Sequence, residues 1–127
     1  MSEFEIFTKR QILDNLYWYK AIVIRLIDGD TIIVDVDKGF SDWRKRLSLR
    51  FSRIDAPEKR GVTKEEGLAA LDFLKTQISE GDAIYIRTQK ADSFGRYIAE
   101  IFVFEGDNAN NLSDTLVKFG HAEYKDY

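Results

Sequence analysis

Arg50-Phe51-Ser52-Arg53-Ile54-Asp55-Ala56-Pro57-Glu58 packs the end of a strand, two acids and the only proline of the chain into nine residues. Upstream, Leu47, Leu49 and Phe51 alternate with Ser48, Arg50 and Ser52, the period of a half-buried strand that carries Arg50 on its polar face. The alternation breaks at Arg53. Pro57 has no N–H for a ladder and biases Ala56 toward extended backbone, which ends the strand and hands Asp55 and Glu58 to a loop. A strand thus presents a cation, and a stiff turn presents two anions. Carboxylate oxygens suit hard divalent cations and a planar guanidinium suits a phosphoryl group, so the mixture suggests metal-assisted phosphate chemistry. Acid-rich turns after strands are also common as plain solvated surface, so the stretch needs support from the rest of the chain.

The chain has 127 residues, enough to bury a core without staples, and is expected to fold as one domain over residues 1–127. It contains no cysteine and one histidine, which leaves oxygen ligands and the lone His121 for any metal and argues against soft-metal chemistry. No uninterrupted apolar run reaches the length of a signal peptide or a membrane span, so a soluble, cytoplasmic protein without membrane contact is expected. A secreted protein written without its leader would read the same. The formal net charge of -3 argues against gripping nucleic acid by bulk charge. Charge is unevenly placed, however: from Arg44 to Arg60 seven basic residues face two acids, a local +5, and the remainder carries -8. Such a patch can attract a phosphate backbone, or it can be an ordinary charged hairpin.

Residues 1–16 form an extension whose pattern suits either a short helix or a strand. Tyr17 to Ile27 is aromatic and β-branched and reads as a well-buried strand. Asp28-Gly29 is a hairpin turn in which both residues tolerate positive φ; the strand from Thr31 to Val36 follows, so Asp28 and Asp30 reach one end of the sheet. After Pro57, Thr63-Lys64-Glu65-Glu66 reads as a capping box opening a helix with Leu68, Leu71, Leu74 and Ile78 inward, closed by Glu80-Gly81. Strands are expected at Ala83 to Thr88 and Tyr97 to Phe104. Asn110 or Asn111 then caps a last helix with Leu112, Leu116 and Phe119 inward, ending at Gly120. Three strands, a helix, two strands and a helix give a mainly β, α+β chain. That order matches a small five-stranded oligonucleotide-binding (OB-fold) barrel. A ferredoxin-like sandwich would need a helix after the first strand.

Three motifs in this order resemble the staphylococcal nuclease (thermonuclease) family: Ile27-Asp28-Gly29-Asp30-Thr31, then Leu49-Arg50 with Ile54-Asp55-Ala56-Pro57-Glu58, then Asp92-Ser93-Phe94-Gly95-Arg96. The resemblance implies a calcium-dependent phosphodiesterase on an SNase-like OB-fold barrel, acting on DNA, RNA or both, with single-stranded or frayed nucleic acid as partner and no obligate protein partner. It makes Asp30 and Asp55 metal ligands, joined by the Ala56 carbonyl, with Asp28 in the outer shell. Glu58 would activate the attacking water, Arg50 and Arg96 would hold the phosphate, and Phe94 and Tyr124 would lie against the nucleotide. The family's threonine is here Ala56, its pocket tyrosine is Phe94, and a basic neighbour is Ser93. The second pocket tyrosine is Tyr124 or Tyr127.

Taken by their chemistry, two carboxylates with waters and a carbonyl suit calcium's flexible oxygen shell, with magnesium also open. Guanidinium groups from two strands can meet the charge that gathers on phosphoryl oxygens in the transition state. Asp28-Gly29-Asp30 does not begin a helix-loop-helix calcium site, because no glutamate stands at the twelfth position. The alternative is a non-catalytic OB-fold module that binds nucleic acid or protein. Repeats of that kind lose the acids or the arginines, whereas Asp30, Asp55, Glu58, Arg50 and Arg96 are all present.

Overall fold

In a computed structural model the described residues are 6–91 and 96–126, with backbone alone for 89–91. Trp18–Asp28 forms β1 and Thr31–Asp37 forms β2, an antiparallel hairpin in which Val23 faces Val34 and Asp28 faces Thr31. β3, Trp43–Phe51, adds antiparallel to β2 with Arg50 opposite Thr31. β5, Ala83–Ala91, lies on the other side of β1, and β6, Tyr97–Glu105, pairs antiparallel with β5. The ring closes where β6 runs parallel to β3, Leu49 beside Tyr97 and Arg50 beside Ile98. These five strands are the barrel expected from the element order, and closure removes its open edges.

Three short strands decorate the barrel. β4 is Ile54–Asp55, β7 is Asn108–Asn111 on the edge of β6, and β8 is Glu123–Tyr124, which pairs antiparallel with β4. The described residues also form three α-helices: α1 at Lys9–Asp14, α2 at Lys64–Gln77 between β4 and β5, and α3 at Leu112–Lys118. The barrel interior is aliphatic apart from Phe51. Ala21, Val23, Ile32, Val34, Leu49, Phe51, Ile84, Ile86, Ala99 and Ile101 are buried at every second position of their strands, as a barrel requires.

Several local expectations are corrected. The first strand is not buried throughout: only Ala21 and Val23 are buried, while Tyr17 and Trp18 are exposed, because its other face is the barrel exterior. Thr63 stands at the N-terminus of α2 but makes no capping box; its hydroxyl donates instead to the Glu58 carbonyl at 2.8 Å. α2 ends at Gln77 with Ile78 already extended, before Glu80-Gly81. Leu68 is 40% exposed and Phe119 57% exposed, so neither is an inward residue of its helix; Phe119 instead lies against the Phe73 ring, centroids 5.2 Å apart. Asn111 caps α3 as expected, accepting from the Ser113 N–H at 2.9 Å. Residues 9–14 resolve the ambiguous start as helix, with Thr8 and Gln11 forming a capping box.

Gly29 is not a positive-φ turn residue. Its requirement is space: a Cβ there would lie 2.7 Å from the Ala70 Cβ of α2 and 3.2 Å from that of Ala56. Gly67, one helical turn before Ala70 on the same face, is tighter still. A Cβ on it would lie 2.1 Å from the Glu58 carbonyl oxygen. The small-residue face of α2 therefore presses on both the β1–β2 turn and the loop that carries Glu58.

Candidate active site

Asp30 follows the tight Gly29 turn and is 4% exposed. Its Oδ2 accepts from the Ala56 backbone N–H at 2.9 Å and its Oδ1 from the Thr31 hydroxyl at 3.0 Å. The first of these bonds ties the β1–β2 turn to the segment after β4, across 26 positions of sequence. Arg50 sits where β3 leaves the barrel, with its side chain 12% exposed. Its Nη2 lies 3.3 Å from Asp30 Oδ2 and 2.7 Å from Asp55 Oδ1. The two carboxylate oxygens are therefore separated by no more than the sum of those distances, about 6 Å. One guanidinium nitrogen stands between them.

Burial pushes the Asp30 carboxyl above the ordinary aspartate range, and the Asp55 charge adds to this. The Ala56 N–H, the Arg50 guanidinium and the Thr31 hydroxyl oppose the rise without cancelling it. A carboxyl whose pKa is raised on folding favours the folded state most while protonated. That contribution is present below the ordinary aspartate pKa and is lost as pH rises through the folded value. Asp30→Asn is accordingly expected to melt above the wild type at neutral pH in chelator, with the gap closing at acid pH. Thermal melts across that range would check it, and a neutral-pH melting temperature below wild type would contradict it.

Asp55 is held by β4 and by what β4 rests on. β8 pairs along it, Ile54 to Tyr124 and Asp55 to Glu123, the Lys125 N–H donates to the Arg53 carbonyl at 2.8 Å, and Lys125 Nζ lies 3.9 Å from Asp55 Oδ2. Between β3 and β4 the chain reverses through Arg53, whose φ is 67°, a left-handed conformation that side chains seldom adopt. Its guanidinium is fixed on both sides: Nε and Nη2 bind the Glu100 carboxylate, Nη1 binds Asp114 Oδ1 at 3.0 Å, and the Tyr124 hydroxyl donates to the same oxygen at 2.8 Å. The bond from Arg53 holds the Asp114 carboxyl below the usual range, and the Asn111 amide donates to Glu100 Oε2 at 2.7 Å. This network, from strands β6, β7, β8 and helix α3, clamps the turn between Arg50 and Asp55. Composition gave no signal for it; the only hint was the break of alternation at Arg53.

Glu58 is exposed, and its backbone is pinned by the Thr63 hydroxyl and by Gly67. Gly67 was missed as a site residue, although a glycine inside a helical run is itself a signal of close approach. Arg96 directly precedes β6. In the β3–β6 register Arg50 is level with Ile98, two residues beyond Arg96. Tyr124 is 58% exposed on β8 with its hydroxyl on Asp114. Phe94 lies outside the described residues, as do Ser93 and Tyr127. Asp28 ends β1 and is half-buried.

The model of the family described as staphylococcal nuclease homologue matches residues 48–127. The chain belongs to that family. Among its relatives, the Bacillus subtilis protein named Endonuclease YhcR is 34% identical over 82% of this chain. The Staphylococcus hyicus Thermonuclease is 35% identical over 83%, and an Escherichia coli O157:H7 protein named as an uncharacterized endonuclease is 31% identical over 79%. The chain spans 9% of the first of these relatives, 59% of the second and 57% of the third. The matched stretch of this staphylococcal nuclease homologue includes Arg50, Asp55, Ala56, Glu58, Arg96 and Tyr124; Asp30 precedes it and is joined to it by the Ala56 hydrogen bond.

Proposed function

We propose that this protein is a metal-dependent nuclease that hydrolyses phosphodiesters of DNA or RNA, and that Asp30 and Asp55 hold the metal. The observation that supports this most is the pair of carboxylates converging on one Arg50 nitrogen. Two acids on one cationic group at the mouth of a barrel cost desolvation, which a cation and a phosphate together would repay. The donor set fits a hard cation. Asp30 and Asp55 supply two carboxylates, the Ala56 carbonyl is available beside them, and no group of three or more acids or histidines is gathered among the described residues. Water and substrate oxygens would thus fill the remaining positions, which suits calcium and is also magnesium's habit with phosphate substrates. Bound there, the cation would offset charge on a phosphoryl oxygen and acidify water beside it.

The protein's own groups do the rest. Arg50, drawn from the acids to the phosphate, offers a planar fork to two phosphoryl oxygens, and Arg96 meets the same group from the next strand of the seam. Turned to the phosphate, the two guanidiniums would stabilise the charge that grows in the transition state. Glu58 accepts the proton of the attacking water. It is exposed, three residues beyond Asp55 across Pro57, and its backbone is held on α2, so its carboxylate reaches the phosphate without joining the metal's ligands. Single-stranded or frayed nucleic acid is the expected substrate, since unpaired bases can lie against the aromatic residues near the site.

The test is cleavage of labelled single-stranded DNA and RNA with calcium, with magnesium and with chelator, beside Glu58→Gln. Cleavage restored by a divalent cation, with Glu58→Gln about a hundred- to ten-thousandfold slower, is the expected result. Tight binding without cleavage under every metal would instead make the chain a binding module.

A further inference from the structure

The basic run Arg44-Lys45-Arg46 has no part in the site above, and it borders a cavity. At the end of the barrel away from Gly29 a pocket of about 220 Å³ is lined by Tyr19, Val36, Leu47, Thr88 and Tyr97, with Lys38 and Arg44 on its rim. Each of the five strands contributes one of the first five. Tyr19 continues the inward series of Ala21 and Val23, Leu47 that of Leu49 and Phe51, Thr88 that of Ile84 and Ile86, and Tyr97 that of Ala99 and Ile101. The pocket is thus the barrel interior left open at its lower mouth. Two rings, of Tyr19 and Tyr97, form its walls, where the core above is aliphatic apart from Phe51. Its volume is below the ~300–1,000 Å³ of pockets for drug-sized ligands, which restricts the occupant to a group the size of one flat ring system.

The rim is cationic. Arg44 Nη2 donates to the Tyr97 hydroxyl at 3.2 Å with its guanidinium 4.9 Å from the ring centroid. Lys38 is paired with Asp42, at 3.3 Å and with both side chains at least half exposed, a pair that solvent makes weak. Lys45 lies 5.2 Å over the half-exposed Trp43 ring. The mouth lies on the same β3–β6 seam as Arg50. Tyr97 pairs with Leu49, which directly precedes Arg50, with Tyr97 and Leu49 on the inward face. A strand held at Arg50 would run down this seam to reach the rim.

We propose that this mouth is a second nucleotide subsite, which takes one unpaired base of the substrate strand against Tyr19 and Tyr97 and seats the adjoining phosphate on Arg44 and Lys38. The proposal rests on the nucleic-acid reading above and adds where the strand goes next. Stacking on a ring is sequence-tolerant. The subsite therefore selects for strand length and for single strands, not for a particular base.

The experiment compares a thymidine dinucleotide with a thymidine hexanucleotide, for wild type, Arg44→Ala and Tyr19→Ala, with melting temperatures recorded for each. Arg44 is exposed at the start of β3, so its variant keeps the test valid should Tyr19→Ala fail to fold. Wild type should have the lower KM for the hexanucleotide. Arg44→Ala should raise that KM roughly tenfold while leaving kcat and dinucleotide cleavage unchanged. Equal hexanucleotide KM values in wild type and variant would overturn the proposal. So would an equal loss with both substrates, which would put Arg44 in the phosphate clamp. Hexanucleotide binding in chelator, read by fluorescence anisotropy, separates this from the catalytic reading. If wild type cuts nothing but binds the hexanucleotide in an Arg44-dependent way, the subsite stands and the nuclease reading falls. Binding that ignores Arg44→Ala overturns the subsite, whatever the activity.

Discussion

Arg50→Lys is expected to lower turnover on single-stranded DNA by roughly two to three orders of magnitude, the size of losing one preorganised charge-stabilising donor. Charge alone does not explain the placement of Arg50. Its Nη2 already spans two carboxylates at 2.7 and 3.3 Å with the side chain 12% exposed. An ammonium is a single point, so a lysine in that place could stay with the acids or turn to the phosphate, but could not present a planar pair of donors. Because the donor is used most fully in the transition state, the loss should fall on kcat more than on KM. Steady-state kinetics with saturating divalent cation would measure it. Turnover within a few fold of wild type would remove Arg50 from the clamp.

Gly67→Ala is the second large effect, and it separates two physical arguments of opposite sign. Helix propensity alone says that alanine inside α2 should stabilise by about 1 kcal/mol. The contact says otherwise. A Cβ on Gly67 would stand 2.1 Å from the Glu58 carbonyl oxygen and 2.4 Å from the Lys59 nitrogen, backbone atoms that cannot swing aside as a side chain would. Either α2 backs away or the loop carrying Glu58 moves, and a displacement near 1 Å at a catalytic group costs about a hundredfold in rate. We expect a lower melting temperature than wild type together with a drop in kcat of that size. A stabilised, fully active Gly67→Ala would show that the loop yields freely and that Glu58 is not positioned by α2.

Arg50, Asp55 and Asp30 were legible in the sequence because the patterns that announce them are local. Alternation over Leu47 to Ser52 gives the face of Arg50, a proline gives the end of the strand, and a hairpin turn gives Asp30. The five-strand order was legible for the same reason. The barrel's closure along β3 and β6 and the Arg53 network were not, since they join residues 47 to 61 positions apart and neither leaves a trace in a short window. Gly29 shows a subtler miss. Its place in a turn was read from chain flexibility, whereas its reason is the methyl group of Ala70 on a helix forty residues later. Leu68 and Phe119 were misjudged because helical spacing reports a stripe but not its width.

The pairing of β4 with β8 sets the order in which the protein can be completed on the ribosome. Positions 54 and 124 are seventy residues apart, and contacts of such long sequence separation form only after the intervening chain has been made and its loop closed. Until Glu123, Tyr124 and Lys125 have emerged, Asp55 has no strand beside it and the Arg53 turn lacks its Tyr124 partner at Asp114. A nascent chain would therefore carry a closed barrel before β4 and the Arg53 turn have the partners that hold them, so the segment bearing Asp55 is among the last parts of this fold to be fixed.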